Sequence, residues 1–371
     1  MANQNSKTNL LNHSEAKVRL LSEYLKRYLN IICNDGYTKR IKIYDLFCGE
    51  GLYNNGGEGS PIVILKQIKD LHTLNVAKVD SIPAIDCHFN DIDKTKIEKV
   101  QKIVQDRNLH KSEFGNIDFT TNDYQVELTN LCKSLTQPKD HKAFVFIDPY
   151  QYKHIKASQI KEIIKNKNAE VLLWLPTQFM YRFSNNGTPE VLYDFIEELT
   201  EYREWKKTDS VWKFIEQLKQ GFQSFVGDKF FVDKFSIQKD TSTVFCLYFF
   251  TSHIKGFEKM LEAKWEIDTE QGKGWDYSGN EPSLFYEYKI NPLEEQLSSF
   301  LRQKRTNGEV YDFTLRQAFL PKHANQIFKS WQKSGKLEVL LTDGTNARKG
   351  AFYISYEHYR DDNEKVFYKL K

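Results

Sequence analysis

The stretch Ile41-Lys42-Ile43-Tyr44-Asp45-Leu46-Phe47-Cys48-Gly49-Glu50-Gly51 decides the fold. Residues 41–47 predict a buried strand, and the two glycines predict a turn into a helix over residues 61–71, with Pro61 acceptable in its first turn. Downstream the pattern repeats. Apolar, β-branched or aromatic runs over 84–89, 117–121, 142–147 and 170–175 alternate with helical periodicity over 93–106, 124–135 and 158–166. Alternation with short links argues for a parallel sheet covered on both faces. Residues 229–237 and 243–251 then read as two strands joined by a turn at Gln238-Lys239-Asp240. Strands so close pair only as a hairpin, so the last one enters antiparallel. The expectation is a seven-stranded, mostly parallel sheet. A helical, aromatic insertion falls at about 177–228, and a helix over 14–34 precedes the sheet, with Leu20, Leu21, Tyr24, Leu25, Tyr28 and Leu29 on one face.

The C-terminal part reads differently. Residues 252–290 look irregular, with glycines at 272 and 274, and Pro292 opens a new unit. Helices are expected over 293–305, 314–320 and 322–333, then a hairpin of 337–341 and 351–355 around Asp343-Gly344. Three helices and a hairpin make a winged helix-turn-helix order. The expected domains are therefore 1–290 and 291–371.

The chain has 371 residues, with 26 Phe, 20 Tyr and 6 Trp to fill a core, which excludes wholesale disorder. No run of 18 apolar residues exists, so no membrane span is expected. The first residues lack the apolar core of a secretory signal. Cys33, Cys48, Cys87, Cys132 and Cys246 are far apart and form no C-x-x-C. A disulfide framework and a zinc finger are improbable, no metal site is expected, and a reducing cytoplasm is the better reading. The net charge of +3 excludes whole-surface binding of nucleic acid but permits a local patch. From Leu293 onward there are 14 Lys and Arg against 10 Asp and Glu, a net +4 that holds the positive excess.

In doubly wound sheets ligands bind outside the carboxyl ends of the strands. Phe47, Cys48, Gly49 and Gly51 occupy that position after the first strand, where glycines let backbone amides approach a ligand. No Gly-Lys-Ser/Thr follows, which excludes a P-loop. Asp45 ends the same strand and could attract a cationic amino-acid moiety. Asp91 follows the second strand and could chelate ribose hydroxyls, and Asp123 follows the third and could meet an adenine amino group. Each of the last two could equally cap the helix that it precedes, as could Asp93. After the fourth strand comes Asp148-Pro149-Tyr150. A carboxylate and a carbonyl that accept both N–H bonds of an exocyclic amino group pull its nitrogen toward tetrahedral geometry, and a tyrosine can stack on the base. Read instead as a strand-ending turn, Asp and Pro are merely good turn formers. In the tail unit, Lys322, His323, Asn325, Gln326 and Lys329 decorate one helix, and Arg348 and Lys349 sit near the wing tip. Such a face suits phosphates and a groove of DNA or RNA, although winged helices also dock proteins. Trp174, Tyr181, Phe183 and Trp212 read more readily as core than as base-stacking residues.

These residues resemble the three-Cys-motif partner proteins (TcmP). The resemblance rests on Asp45 to Gly51 with Gly59-Ser60-Pro61, on Ile147 to Tyr150, and on the His13/Lys17 helix. It extends to Thr251-Ser252-His253, Lys255-Gly256, Met260 and Trp265-Glu266-Ile267-Asp268. It implies a Rossmann-like class I methyltransferase fold with a C-terminal winged helix, and S-adenosylmethionine as cofactor. It also implies a bacterial or phage source and a partner resembling radical-S-adenosylmethionine proteins with three cysteines. Carried over by motif, Asp45, Gly49, Gly51 and Asp91 line the cofactor site, and Asp148, Pro149 and Tyr150 form the catalytic loop. Amino-methylating enzymes usually carry two prolines in that loop, and this chain has one. Cys48 stands where a small residue is usual and packs as one. The carbon-methylating alternative needs a Pro-Cys nucleophile, and no such dipeptide occurs. The expected activity is methyl transfer to a base amino group, adenine favoured. The alternative is a silent cofactor- or nucleoside-binding module in a mobile-element or defence system.

Overall fold

The computed structural model describes residues 12–74, 82–136, 140–149, 155–185, 188–200, 204–276, 291–362 and 364–371. The chain divides into two compact units, one of residues 1–253 with 274–280, the other of 254–273 with 281–371.

The first unit is built on the alternation expected from the sequence. Helix α1 (Asn12–Ile32) leads into strand β1 (Arg40–Asp45), helix α2 (Ser60–Leu74), β2 (Ala84–Asn90), α3 (Lys94–Asp106), β3 (Ile117–Thr120), α4 (Tyr124–Leu135), β4 (His141–Ile147), α5 (Ala157–Ile164) and β5 (Ala169–Leu175). The insertion forms α6 (Thr177–Asn185), α7 (Glu190–Leu199) and α8 (Val211–Val226). Strands β6 (Phe231–Asp240) and β7 (Thr243–Thr251) close the sheet, with a bulge between Gln238 and Asp240 where the sequence reads as a turn. The strand order is β3-β2-β1-β4-β5-β7-β6, and an eighth strand, β8 (Gly274–Asp276), follows at the edge. Strands β1 to β5 run parallel, and β7 runs antiparallel to both β5 and β6. The reversal of strand order falls between β1 and β4, which sets a crevice at their carboxyl ends.

The central strands are buried on both faces, and β5 (AEVLLWL) is buried throughout. One face packs Val145, Ile147, Val171 and Leu173 against α4, α5 and the insertion. On the other, Tyr24 of α1 meets Phe144 and Phe249 at 5.6 and 4.8 Å between centroids. Its hydroxyl donates to the Glu170 carboxylate.

The second unit departs from the sequence reading in four ways. It begins earlier than Pro292, because residues 254–267, expected as irregular, form helix α9 (Ile254–Ile267). Trp265 of α9 lies 4.2 Å from the His323 ring and donates its indole N–H to the Ala318 carbonyl. Helix α10 (Asn291–Phe300) stops before residue 305, where Arg305–Thr306 forms the short strand β9. The next helix, α11 (Asn307–Arg316), starts seven residues before the expected one, because Thr306 and Glu309 form a reciprocal capping box. Helix α12 (Pro321–Lys333) is as expected, with Gly335 at φ +78° after its end. Strand β10 (Leu337–Leu341) pairs with the last strand β11 (Val366–Leu370), not with 351–355. The turn at Asp343-Gly344 forms, but the chain after it makes only the Leu340–Asn346 bridge. Left-handed Gly350 and Tyr353, at φ +79° and +53°, break any strand there, and helix α13 (Tyr356–Arg360) carries the chain back. Among the described residues no helix is long and apolar enough to cross a membrane.

Candidate active site

A cleft of about 320 Å³ opens at the carboxyl ends of β1 and β4. Its walls come from seven elements. The β1–α2 loop supplies Phe47 through Tyr53, α2 supplies Ser60 next to Gly59, and α3 supplies Lys96. Asp148 and Pro149 follow β4, Trp174 lies next to the end of β5, and Phe245 lies near the start of β7. Helix α1 adds His13, Ser14 and Lys17.

The β1–α2 loop keeps its shape through its glycines. Gly49 and Gly51 have φ of +67° and +79°, a region that other residues enter only with strain. A Cβ built on Gly49 meets nothing within 4 Å, so that face of the backbone is open to a ligand. Asp91 ties the loop down: its carboxylate accepts from the Gly49 N–H at 3.2 Å and the Asp93 N–H at 3.0 Å, and pairs with Lys96 at 3.3 Å. Asp91 is buried behind the loop and does not line the cleft. Its oxygens already have partners, and one of them, Lys96, lines the cleft in its place.

Asp45, beneath the loop, is fully buried. Neither carboxylate oxygen has a hydrogen-bond partner of good geometry, although the Ser60 hydroxyl and the Phe47 N–H lie near enough to favour its charge in part. Burial pushes this carboxyl up to about 7, with help from the negative Asp148 and against the pull of Lys17. Cys48 is buried too, and burial, with Asp45 and Asp91 near, raises its thiol well above the ordinary value. It is a packed, neutral group and not a nucleophile.

At the other end of the cleft Lys17 forms an ion pair with Oδ2 of Asp148. Burial works to lower the Lys17 ammonium, but Asp148, Tyr53 and Asp45 outweigh it and the net shift is upward. The ammonium also lies 4.9 Å from the Trp174 ring centroid. Trp174 stacks on Phe245 at 4.9 Å, and His13 stacks on Phe245 at 5.6 Å. Burial, with Lys239 and Lys17, holds the His13 imidazole down at about 4, so it is neutral at pH 7.

The structure thus brings Phe47, Cys48, Gly49, Gly51, Asp148 and Pro149 together around one cleft, with Asp45 directly beneath. It does not bring Asp123, which is exposed and accepts from Gln125 N–H as the N-cap of α4, nor Asp93, which caps α3. Tyr150 lies outside the described residues. In the second unit Lys322, Lys329, Arg348 and Lys349 are exposed and Asn325 is half-buried. His323 is the exception. It is buried against Trp265, its Nδ1 accepts from the Leu320 N–H, and burial with the neighbouring Lys322 lowers it to about 4. It packs the core of its unit and presents nothing to a groove. The cleft residues that sequence reasoning did not name are Val18, Leu52, Tyr53, Lys96 and Phe245.

The glycine cradle and the orphaned Asp45 fit an amino-acid nucleoside such as S-adenosylmethionine, and the cleft volume lies in the range of small-ligand sites. Residues 266–344 match the family model described as the GMT-like wHTH domain. No curated protein matches the chain. Similar solved structures include the methyltransferase domain of bacterial CtHen1-C, 15% identical, covering 62% of this chain and 98% of that one at a TM-score of 0.32. They also include an O-methyltransferase from Bacillus cereus in complex with SAH, 9% identical, with 68% and 93% covered at 0.35. A SAM-dependent methyltransferase from Methanosarcina mazei is 13% identical, with 59% and 96% covered at 0.28. The architecture of the first unit is defined by its own strand order, not by these likenesses.

Proposed function

We propose that the chain is a methyltransferase that uses S-adenosylmethionine and methylates an exocyclic amino group of a nucleic-acid base, adenine favoured. The observation that carries this reading is one cleft lined both by the open face of Gly49 and by Asp148 and Pro149, with the buried Asp45 at the end of β1 behind the glycine loop. When bound, the cofactor supplies a methyl on a sulfonium; the acceptor nitrogen takes it and loses one proton, and sulfur keeps the electron pair of the broken bond. Asp45 and the loop would hold the amino-acid end. Asp148, as an anion, would accept an acceptor N–H, orient its lone pair and take the released proton to water. Positioning of this kind supplies roughly 7–11 kcal/mol in favourable cases.

Titration calorimetry with S-adenosylhomocysteine tests the cofactor half, with a micromolar Kd expected. No heat at millimolar ligand rejects it. Asp148→Ala should abolish transfer and leave that Kd within about threefold. Loss of both together makes Asp148 structural.

A second reading has its own observation. The lone proline after Asp148, and the capture of Asp91 by Lys96, suit a module that binds a cofactor or nucleoside without turnover. This is the reading in which a TcmP-like chain works with a radical-S-adenosylmethionine-like partner. Mass spectrometry of nucleic acid from cells with and without the protein separates the two: a new methylated base supports the enzyme, and an unchanged profile supports the module.

A further inference from the structure

Resting on the methyl-transfer reading, we propose that Lys17 of α1 is a positioning residue: its ammonium, pinned against Trp174, fixes one oxygen of Asp148 and leaves the other for the N–H of the acceptor.

The placement is not that of a surface lysine. Lys17 lies on the apolar face of α1, in line with Leu20, Leu21, Tyr24 and Tyr28, and is 8% exposed. Burying an ammonium is costly unless a carboxylate answers it, and Asp148 does so through Oδ2. The ammonium has little freedom to leave. Trp174 lies under it, Phe245 braces Trp174, and His13 braces Phe245. Helix α1 is itself held to the sheet by the Tyr24–Glu170 bond.

The electrostatics give the pair a purpose. Asp45 is a second carboxyl close enough to oppose the charge of Asp148, and Lys17 favours the charge of Asp45. A neighbouring carboxylate disfavours a carboxyl's charge, and an ammonium beside it favours that charge. A protonated Asp148 would present a donor to the acceptor's N–H and would have no room for the released proton. With Lys17 in place, Asp148 has a fixed anionic edge, and Oδ1 makes no other hydrogen bond among the described residues.

The test reads the carboxyl directly. The Asp148 ¹³Cγ resonance is assigned by its loss in Asp148→Asn and followed with pH in the full chain. The resonance should respond to pH differently in Lys17→Met than in the wild type, with the charged form less favoured in the variant, and return to the wild-type curve in Lys17→Arg. Superimposable curves for the wild type and Lys17→Met overturn the proposal. Should Lys17→Met not fold, the wild-type Lys17 ¹⁵Nζ resonance decides: it should show the Asp148 inflection, and a flat trace overturns the pairing. With an adenine-containing oligonucleotide as acceptor, Lys17→Met should lower kcat about tenfold at pH 7 and move the acidic limb of the profile upward. If the wild type transfers no methyl, the methyl-transfer reading falls, while the carboxyl titration still decides the role of Lys17.

Discussion

At the scale of single residues, Asp45 shows what a strand-end acid becomes once it is buried. It ends a strand flanked on both sides, and its carboxyl is raised to about 7 chiefly by loss of solvent. A cationic ligand above it would favour the charged form, and its binding would release a proton. At pH 6 only about a tenth of Asp45 is ionised, so the Kd for S-adenosylhomocysteine should be about tenfold weaker at pH 6 than at pH 8. Calorimetry across that range measures it, and Asp45→Asn should bind weakly with no such trend. An equal slope in both proteins would remove Asp45 from the ligand. Much of this was legible: the glycine spacing and the acids at strand ends were visible, while Lys17 entered only through the His13/Lys17 helix of the resemblance. What each acid does was not. Asp45, Asp91 and Asp123 follow successive strands, yet one is orphaned, one ties down a loop and one caps a helix. The difference lies in burial and in neighbours from other elements, which spacing along the chain does not carry. His323 failed for the same reason, since Trp265, some sixty residues upstream, covers it together with Phe319.

At the scale of elements, α1 matters because it brings Lys17 and His13 to the cleft, and its anchor is Glu170 of β5. Glu170 accepts from the hydroxyls of Tyr24 and Thr251 and is buried. Burial, partly offset by these two bonds, raises it to about 7. The sign follows from linkage: the folded state favours the neutral acid, so this contribution is present below the unfolded value of about 4.5 and lost as pH rises toward 7. Glu170→Gln keeps an acceptor and cannot ionise. Its stability relative to wild type should therefore improve between pH 5 and pH 8, by up to about 3 kcal/mol. Urea unfolding at the two pH values measures this, and a difference that does not change with pH would show that Glu170 does not titrate on folding. Most elements could be read from periodicity, because a parallel strand is a local apolar run. Partners could not. Phe245 reaches the cleft only because β7 runs antiparallel beside β5, which puts its first residues at the carboxyl edge. The strand that completes the wing lies after an excursion of more than twenty residues, so the nearer segment at 351–355 looked like the partner. Helix α9 carried its signal, with Ile254, Phe257, Leu261 and Trp265 at helical spacing, but glycines downstream concealed it.

At the scale of the whole molecule, the chain joins a cleft-bearing α/β unit to a unit that matches a winged-helix model, and the charge is uneven between them. The first carries nearly balanced charge, while the segment from Leu293 onward has its +4 excess. On α12 the exposed residues Lys322, Gln326, Lys329 and Lys333 recur at helical spacing, and Arg348 and Lys349 are exposed after the Asp343-Gly344 turn. If this face meets nucleic acid, as the methylation of a base requires of some part of the molecule, it does so mainly through phosphates. Affinity should then fall with salt, and each lost contact should reduce the log–log slope by about 0.9 on duplex DNA. Fluorescence anisotropy with a labelled duplex from 50 to 200 mM salt reads that slope. The variant with Glu at 322, 329, 348 and 349 should bind more weakly and less steeply, while Lys99→Glu, on the first unit, should leave the slope unchanged. A slope untouched by the four reversals would assign the nucleic-acid contact elsewhere and leave the winged unit to a protein partner, because no other feature of that face distinguishes a groove from a docking surface.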